Sequence, residues 1–270
     1  MKVLLVTIAI GNQYLRQYEL LFKTSQENYA NKCGYDFKVI TDFLDKDNKY
    51  NSTISFNKIL VCSQEWSNNY DFIIFVDADI LININSPPIH NYIDNDNNDN
   101  NHNNNHNNNH NNNHDKIGII DEYSQPTKER RIQLQKRMGW ESNATDYYKL
   151  CDLDIQTEMV LNTGVLVLQP HKHKDFLQNI YDTNVKKSKN HSRGFHFEQS
   201  CIGYTIQKEK NYIILPNKFN AVWSLMKIDN IENIKLEDYF MQNYFIHFAG
   251  HCDYDKVELL HKKYNIKNII

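Results

Sequence analysis

The sequence predicts an α/β fold: a mainly parallel central sheet with helices on both faces. Two observations carry this. Strand-like and helical patterns alternate from the N-terminus, and the third strand-like run, Phe72–Val76, is continuously apolar before it ends in paired carboxylates, Asp77 and Asp79, within "YDFIIFVDADILININ". Strand–helix repetition marks a parallel sheet covered by helices. In such sheets ligands sit beyond the carboxyl ends of the strands.

The elements follow in order. Lys2–Ile8 reads as a buried strand. "MKVLLVTIAIG" has the apolar look of a leader, but Gly11-Asn12 runs straight into a helical pattern and no small-residue cleavage site follows. Tyr14–Cys33 reads as one helix with apolar positions at Leu15, Tyr18, Leu21 and Phe22, Tyr35–Thr41 as a strand, and Ile54–Trp66 as a helix. Thr7 and Asp42 stand, like Asp77 and Asp79, at strand ends. Further on, Lys116–Asp121 and Met159–Pro170 read as strands, Lys172–Lys187 and His196–Lys208 as helices, and "NYIILP" and "NYFIHFAG" as short strands. The charged stretch Lys128–Lys136 reads as a solvated helix face.

Between these elements lies a tract of low complexity, Asn91–His114, ending in "HNNNHNNNHNNNH". The spacing of His102, His106, His110 and His114 would align imidazoles on a helix and could hold a metal. Asn is a poor helix former, however, and such tracts are usually disordered. The tract is expected to be a disordered insertion within a single domain spanning residues 1–270.

Composition excludes several classes. A net charge of −3 provides no basic footprint for nucleic acid. The five cysteines (Cys33, Cys62, Cys151, Cys201, Cys252) are odd in number and lack C-x-x-C spacing. That argues against a disulfide framework or structural zinc and fits a reducing compartment. Sequons at Asn51, Asn143 and Asn190 keep a secretory lumen open. No run reaches the ~18 apolar residues of a membrane span.

Asp77 and Asp79 pose the chemical question. A buried carboxylate is costly unless paired or metal-bound. On an extended chain both would project to the same side, which compounds the cost. One reading is a divalent cation completed by substrate phosphate; the other is a solvated acidic turn. The apolar "ILI" that follows places the pair within the core and favours the cation. Phosphatases of the haloacid-dehalogenase type also place D-x-D after an apolar strand, with the first Asp as nucleophile. They usually do so near the N-terminus, whereas here two β-α units precede the pair.

Six blocks in order, "LLVTIAIGNQY", "FNKILVCSQEW", "FIIFVDADILI", "LNTGVLVLQ", "FHFEQSCIGYTI" and "YFIHFAGHC", resemble retaining glycosyltransferases of the GT-A fold. Family 34 (galactosyl-, mannosyl- and xylosyltransferases) is nearest and the glycogenin-like family 8 next. The resemblance implies a metal-dependent transferase moving a hexose or pentose from a nucleotide-sugar, UDP-sugar rather than GDP-sugar, to an acceptor hydroxyl of a glycan or glycoprotein with an α-linkage. It implies Mn²⁺ or Mg²⁺ held by Asp77, Asp79 and, as third ligand, His247, for which the residues alone favour a core histidine at a strand end. It places Thr7, Ala9, Lys58, Ala78, Asn162, Gly164, Gly250 and His251 along the donor, with Lys58 facing the diphosphate. Glu198 and Gln199 become the catalytic pair at the transferred sugar. Without the resemblance, Lys58 reads as a solvated helix lysine, Asn162 and Gly164 as a turn, and Glu198 as a helix-dipole partner.

The chain departs from family 8 at Asp253-Tyr254, where a Lys-Pro is common, so a phosphate-binding cation must come from elsewhere, His251 or Lys256. An unanchored chain favours the cytoplasm, and the family favours the Golgi or secretory lumen. The alternatives to a transferase are a phosphatase using Asp77 and a GT-A-like binding module without turnover.

Overall fold

Continuous apolar runs become the middle of the sheet. The computed structural model describes residues 1–46, 54–94, 115–141, 143–188, 197–229, 234–250 and 253–264. The chain runs β1 (Val3–Ile8), α1 (Asn12–Leu21), α2 (Lys23–Cys33), β2 (Asp36–Ile40), two 3₁₀ stretches (Ile54–Ser63 and Glu65–Asn69), β3 (Phe72–Val76), β4 (Ile80–Ile82) and α3 (Asn91–Asp94). It continues through β5 (Ile117–Asp121), α4 (Lys128–Met138), α5 (Ala144–Leu150), β6 (Leu161–Leu168), α6 (Pro170–Ser188), α7 (Phe197–Lys208) and β7 (Tyr212–Ile214). Last come β8 (Ala221–Val222), α8 (Trp223–Asp229), α9 (Leu236–Gln242), β9 (Phe245–His247) and α10 (Tyr254–Lys263).

The main sheet has six strands in the order β2-β1-β3-β6-β5-β7. It is parallel except for β6, which runs antiparallel to both neighbours, β3 and β5. Every residue of β1, β3, β5 and β6 is buried, as strands covered on both faces require. A second sheet of three strands, β4-β9-β8, sits beyond the end of β3. Four of the five cysteines are described, and none of the four forms a disulfide. Among the described residues no helix is long and apolar enough to cross a membrane.

Three expected elements differ. The helix expected over Tyr14–Cys33 breaks at Phe22 (φ −122°, ψ −37°), where the side chain packs against the rings of Phe248 and Tyr254. The Ile54–Trp66 helix winds as 3₁₀, with Phe56 to Cys62 all buried between the sheet and α6. The charged α4 is not wholly solvated: Arg131, Leu134 and Gln135 are buried.

The Asn-rich tract also needs a new boundary. Asn91–Asp94 forms a helical turn, Ile93 is buried, and the Tyr92 ring meets that of Phe219 at 5.0 Å. Residues 95–114, with the four histidines, lie outside the described residues. Replacing 95–114 with a short Gly-Ser linker is expected to leave the melting temperature unchanged. Extending the replacement to Tyr92 and Ile93 should lower it by several degrees, because burying an Ile side chain stabilises by roughly 1.5–3 kcal/mol. Equal melts for the two deletions would contradict this boundary.

Candidate active site

Three segments meet beyond β3. The Asp77 amide donates to the Gly164 carbonyl of β6 at 2.8 Å, and the Ile80 amide donates to the Asp77 carbonyl at 3.2 Å. Asp77-Ala78-Asp79 is thus a tight turn, not the extended segment expected. The carboxylates converge because the chain reverses, and the Gln26 amide of α2 clamps the turn through the carbonyls of Asp77 and Ile80. From the turn, β4 pairs antiparallel with β9, setting Ile80 opposite His247.

That register brings the imidazole to the carboxylates. His247 Nε2 lies 3.3 Å from Asp79 Oδ1 and 3.8 Å from Asp77 Oδ2. One ligand atom from each of the three residues fits within a 4.8 Å span. Burial alone would keep the imidazole neutral, but the charge and hydrogen bond of Asp79 and the charge of Asp77 outweigh it and raise its pKa.

Lys58 completes the cluster. Its ammonium is 3.0 Å from Asp77 Oδ1 and 3.3 Å from Glu198 Oε1, and it also donates to the Thr163 carbonyl at 3.3 Å. Its side chain is only 3 % exposed, so it is not a solvated helix lysine. Its three N–H groups are met by two carboxylates and a carbonyl. Burial works against the charged lysine, yet Asp77 and Glu198 hold its pKa up. Burial likewise raises Glu198, but Lys58 prevails and keeps that carboxyl low and ionised. At Asp77 burial wins over Lys58 and His247, and its pKa is raised. Three carboxylates against one ammonium leave two negative charges, which a divalent cation beside a neutral imidazole would balance.

Gly164 leaves room for the His247 ring. A Cβ there would fall 2.6 Å from the imidazole Cε1 and 2.8 Å from Nδ1, closer than van der Waals contact allows. Gly164→Ala is therefore expected to displace the ring and weaken Mn²⁺ binding at least tenfold, read by titration. Unchanged affinity would show that the ring position does not matter. Asn162 lies inside β6 rather than in a turn, and its amide bonds Glu122 and the Gly164 N–H.

Two cavities share the carboxylates. One, of about 490 Å³, is walled by Ile8, Ile10, Tyr14, Ile54 and Phe75 and floored by Lys58, Asp77, Ala78, Asp79 and Glu198. Burial, then Asp79 and Asp77, push the Tyr14 phenol well up, so it stays protonated. The other, about 720 Å³, is lined by Asp77, Asp79, His247, Glu198, Gln199 and Asn162, with Glu122, Arg131, Trp140, Tyr147, Lys227 and Gly250 around them. Thr7 and Ala9 are fully buried and line neither; strand alternation turns Ile8 and Ile10 to the cavity instead. Gly250 is at φ +86°, and His251 lies outside the described residues. Lys256 bonds Asp253, as does Lys227, which lines the larger cavity.

Several site residues were not foreseen. Glu122 accepts from Arg131 Nη2 at 2.8 Å, Asn162 Nδ2 at 2.9 Å and Gln199 Nε2 at 3.1 Å. Asn220 bonds both Asn162 and His247. Glu122 had a readable signal, a carboxylate at the end of strand β5; Asn220 had none.

Beside Glu122, burial raises the Asp121 carboxyl to about 6 against its two backbone hydrogen bonds, from Tyr123 and Val160. The folded state thus binds this proton more tightly than the unfolded chain. The stabilising contribution is complete below about pH 4 and lost as pH rises through 6. Asp121→Asn keeps both acceptor bonds, so melting temperature from pH 5 to 7 should fall less for the variant than for the wild type. Parallel profiles would refute this.

No protein-family model matches the chain, and no curated protein matches it by sequence. Solved structures do. A glycosyltransferase involved in glycosylation of the major capsid of PBCV-1 is 11% identical, with 97% of this chain and 100% of that one covered and a TM-score of 0.57. The galactosyltransferase LgtC, solved with donor and acceptor sugar analogs, is 11% identical over 97% of this chain and 96% of its own, with a TM-score of 0.52. The bifunctional glycosyltransferase WbbM is 14% identical, covering 99% of this chain and 50% of its own, with a TM-score of 0.56. At these identities the likeness concerns architecture: this chain has the GT-A fold.

Proposed function

We propose that this chain is a retaining glycosyltransferase, moving a hexose or pentose from a nucleotide-sugar to an acceptor hydroxyl of a glycan or glycoprotein with an α-linkage. The observation that carries the reading is the pair of cavities meeting at Asp77, Asp79 and Glu198. The smaller, largely aliphatic and aromatic, suits a nucleobase. The larger, rich in polar groups, suits the transferred sugar and its acceptor, with the diphosphate crossing at the shared carboxylates. Retention and the preference for UDP- over GDP-sugars rest on the resemblance of the sequence blocks.

Asp77, Asp79 and His247 are the residues to hold a Mn²⁺ or Mg²⁺ ion, and their oxygen and imidazole donors and uncompensated charge fit one. Such an ion supplies Lewis-acid stabilisation of charge on the departing diphosphate. The residues do the rest. Lys58 bridges Asp77 and Glu198, fixing both, and keeps Glu198 ionised. Glu198 sets negative charge beside the sugar, where positive character grows at the anomeric carbon. Gln199, its nitrogen taken by Glu122, presents its oxygen as an acceptor. The acceptor oxygen bonds to the anomeric carbon as the carbon–oxygen bond to the diphosphate breaks. The electron pair leaves with the diphosphate, and the acceptor proton goes to its oxygen. Lys227, which lines the same cavity as Gly250 and pairs with Asp253, is the cation proposed for the diphosphate.

The test is release of nucleoside diphosphate from a panel of UDP- and GDP-sugars in Mn²⁺ and in EDTA. Release with Mn²⁺ alone is expected. Cleavage of generic phosphoesters instead would indicate the phosphatase. Donor binding without release would indicate a binding module; a ligand at 100 times its Kd stabilises by about 2.7 kcal/mol and would show in a melt.

A further inference from the structure

An imidazole can ligate through either nitrogen, and the hydrogen bonds around His247 choose one. The chain of bonds begins at Glu122, whose carboxylate is paired with the Arg131 guanidinium at 2.8 Å and accepts from its neighbours. Its Oε2 takes the Asn162 Nδ2–H at 2.9 Å. The Asn162 amide is thereby oriented, and its Oδ1 receives the Gly164 N–H at 2.8 Å and the Asn220 Nδ2–H at 2.6 Å. With its nitrogen committed, Asn220 turns Oδ1 to His247 Nδ1 at 2.9 Å and can only accept there. Nδ1 must carry the hydrogen. In the neutral ring Nε2 is then the lone-pair nitrogen, and it is the one turned to Asp79 and Asp77. Asn162, Asn220 and His247 are all buried, which limits competition from water for these bonds.

We propose that Asn220 is a positioning residue that holds His247 as an Nε2 donor for the divalent cation, with Glu122 and Asn162 giving the hydrogen-bond chain its direction. This rests on the cation site proposed above. Were the Asn220 amide reversed, its NH₂ would favour the other tautomer. An Nε2–H would then point at the two carboxylates, satisfying them without a cation and competing with one. Groups that orient a metal-binding histidine typically matter ten- to a hundredfold in affinity.

The measurement is Mn²⁺ affinity by paramagnetic resonance of the free ion, with no nucleotide or sugar present, across a double-mutant cycle of Asn220→Leu and His247→Gln. Leu has the branching of Asn, removes both hydrogen-bonding groups and leaves no room for a substitute water. Each single variant is expected to weaken Mn²⁺ binding ten- to a hundredfold, and the double variant to bind no more weakly than His247→Gln alone. A merely structural Asn220 would instead add its full loss in the double variant, and that overturns the proposal, as does wild-type affinity in Asn220→Leu. If Asn220→Leu does not fold, Asn220→Ser, whose hydroxyl is too short to span both partners, takes its place in the same cycle. Wild-type protein that binds no Mn²⁺ would overturn the cation site and this proposal together. Mn²⁺ binding that is lost in His247→Gln but indifferent to Asn220 would remove only the latter.

Discussion

Asp79→Asn is expected to abolish metal-dependent sugar transfer while leaving the protein folded. The substitution removes one of the three residues proposed to hold the cation and one of the two uncompensated negative charges that a divalent cation would balance. From sequence alone, losing a like charge beside Asp77 would leave the metal-free protein as stable or more so. The geometry tempers this. Asp79 lies against His247 at 3.3 Å, and Asp77 is answered by Lys58 at 3.0 Å. The variant exchanges repulsion for a lost partner, so its melt in EDTA should stay within about 1 kcal/mol of wild type. His247→Ala should weaken Mn²⁺ binding as well. Mn²⁺ titrations and melts of the three proteins, with and without EDTA, separate these effects. Full Mn²⁺-dependent transfer by Asp79→Asn would end the metal-site reading.

Lys58→Met should produce the largest loss of stability. Met keeps the unbranched apolar stem and removes only the charge. Asp77 and Glu198 would then remain together without their shared cation, and removing one partner of a buried ion pair costs roughly 3–5 kcal/mol. For a domain of this size that is roughly a 10 °C fall in melting temperature. Lys58→Arg is not expected to rescue it, since a planar guanidinium needs more room than an ammonium in a site already packed on three acceptors. A loss below about 1 kcal/mol would show that the two carboxylates do not depend on this lysine.

Much of the fold was legible because burial on both faces leaves a plain trace. The runs that become β1, β3, β5 and β6 are apolar without interruption, and Asp77 and Asp79 were conspicuous as carboxylates at the end of one of them. What periodicity does not encode was lost. Nothing in Leu161–Leu168 tells that β6 runs against its neighbours, because a fully buried strand has the same composition in either direction. The break at Phe22 was hidden because that side chain stays in the core while the backbone leaves the helix. Lys58 was placed at the site by resemblance, but its role as a shared counter-ion depends on Glu198, distant in sequence. Arg131 was concealed within a charged run, and Asn220, an amide in a chain crowded with asparagine, acquires meaning only through His247.

The most direct test is a crystal grown with MnCl₂ and UDP, measured at an anomalous wavelength for manganese. A single strong manganese peak is predicted about 2 Å from oxygens of Asp77 and Asp79 and from Nε2 of His247, with the diphosphate completing its coordination and the uracil in the cavity beside Ile8, Ile10 and Tyr14. UDP bound with no manganese at these three residues, or manganese held elsewhere, would contradict it.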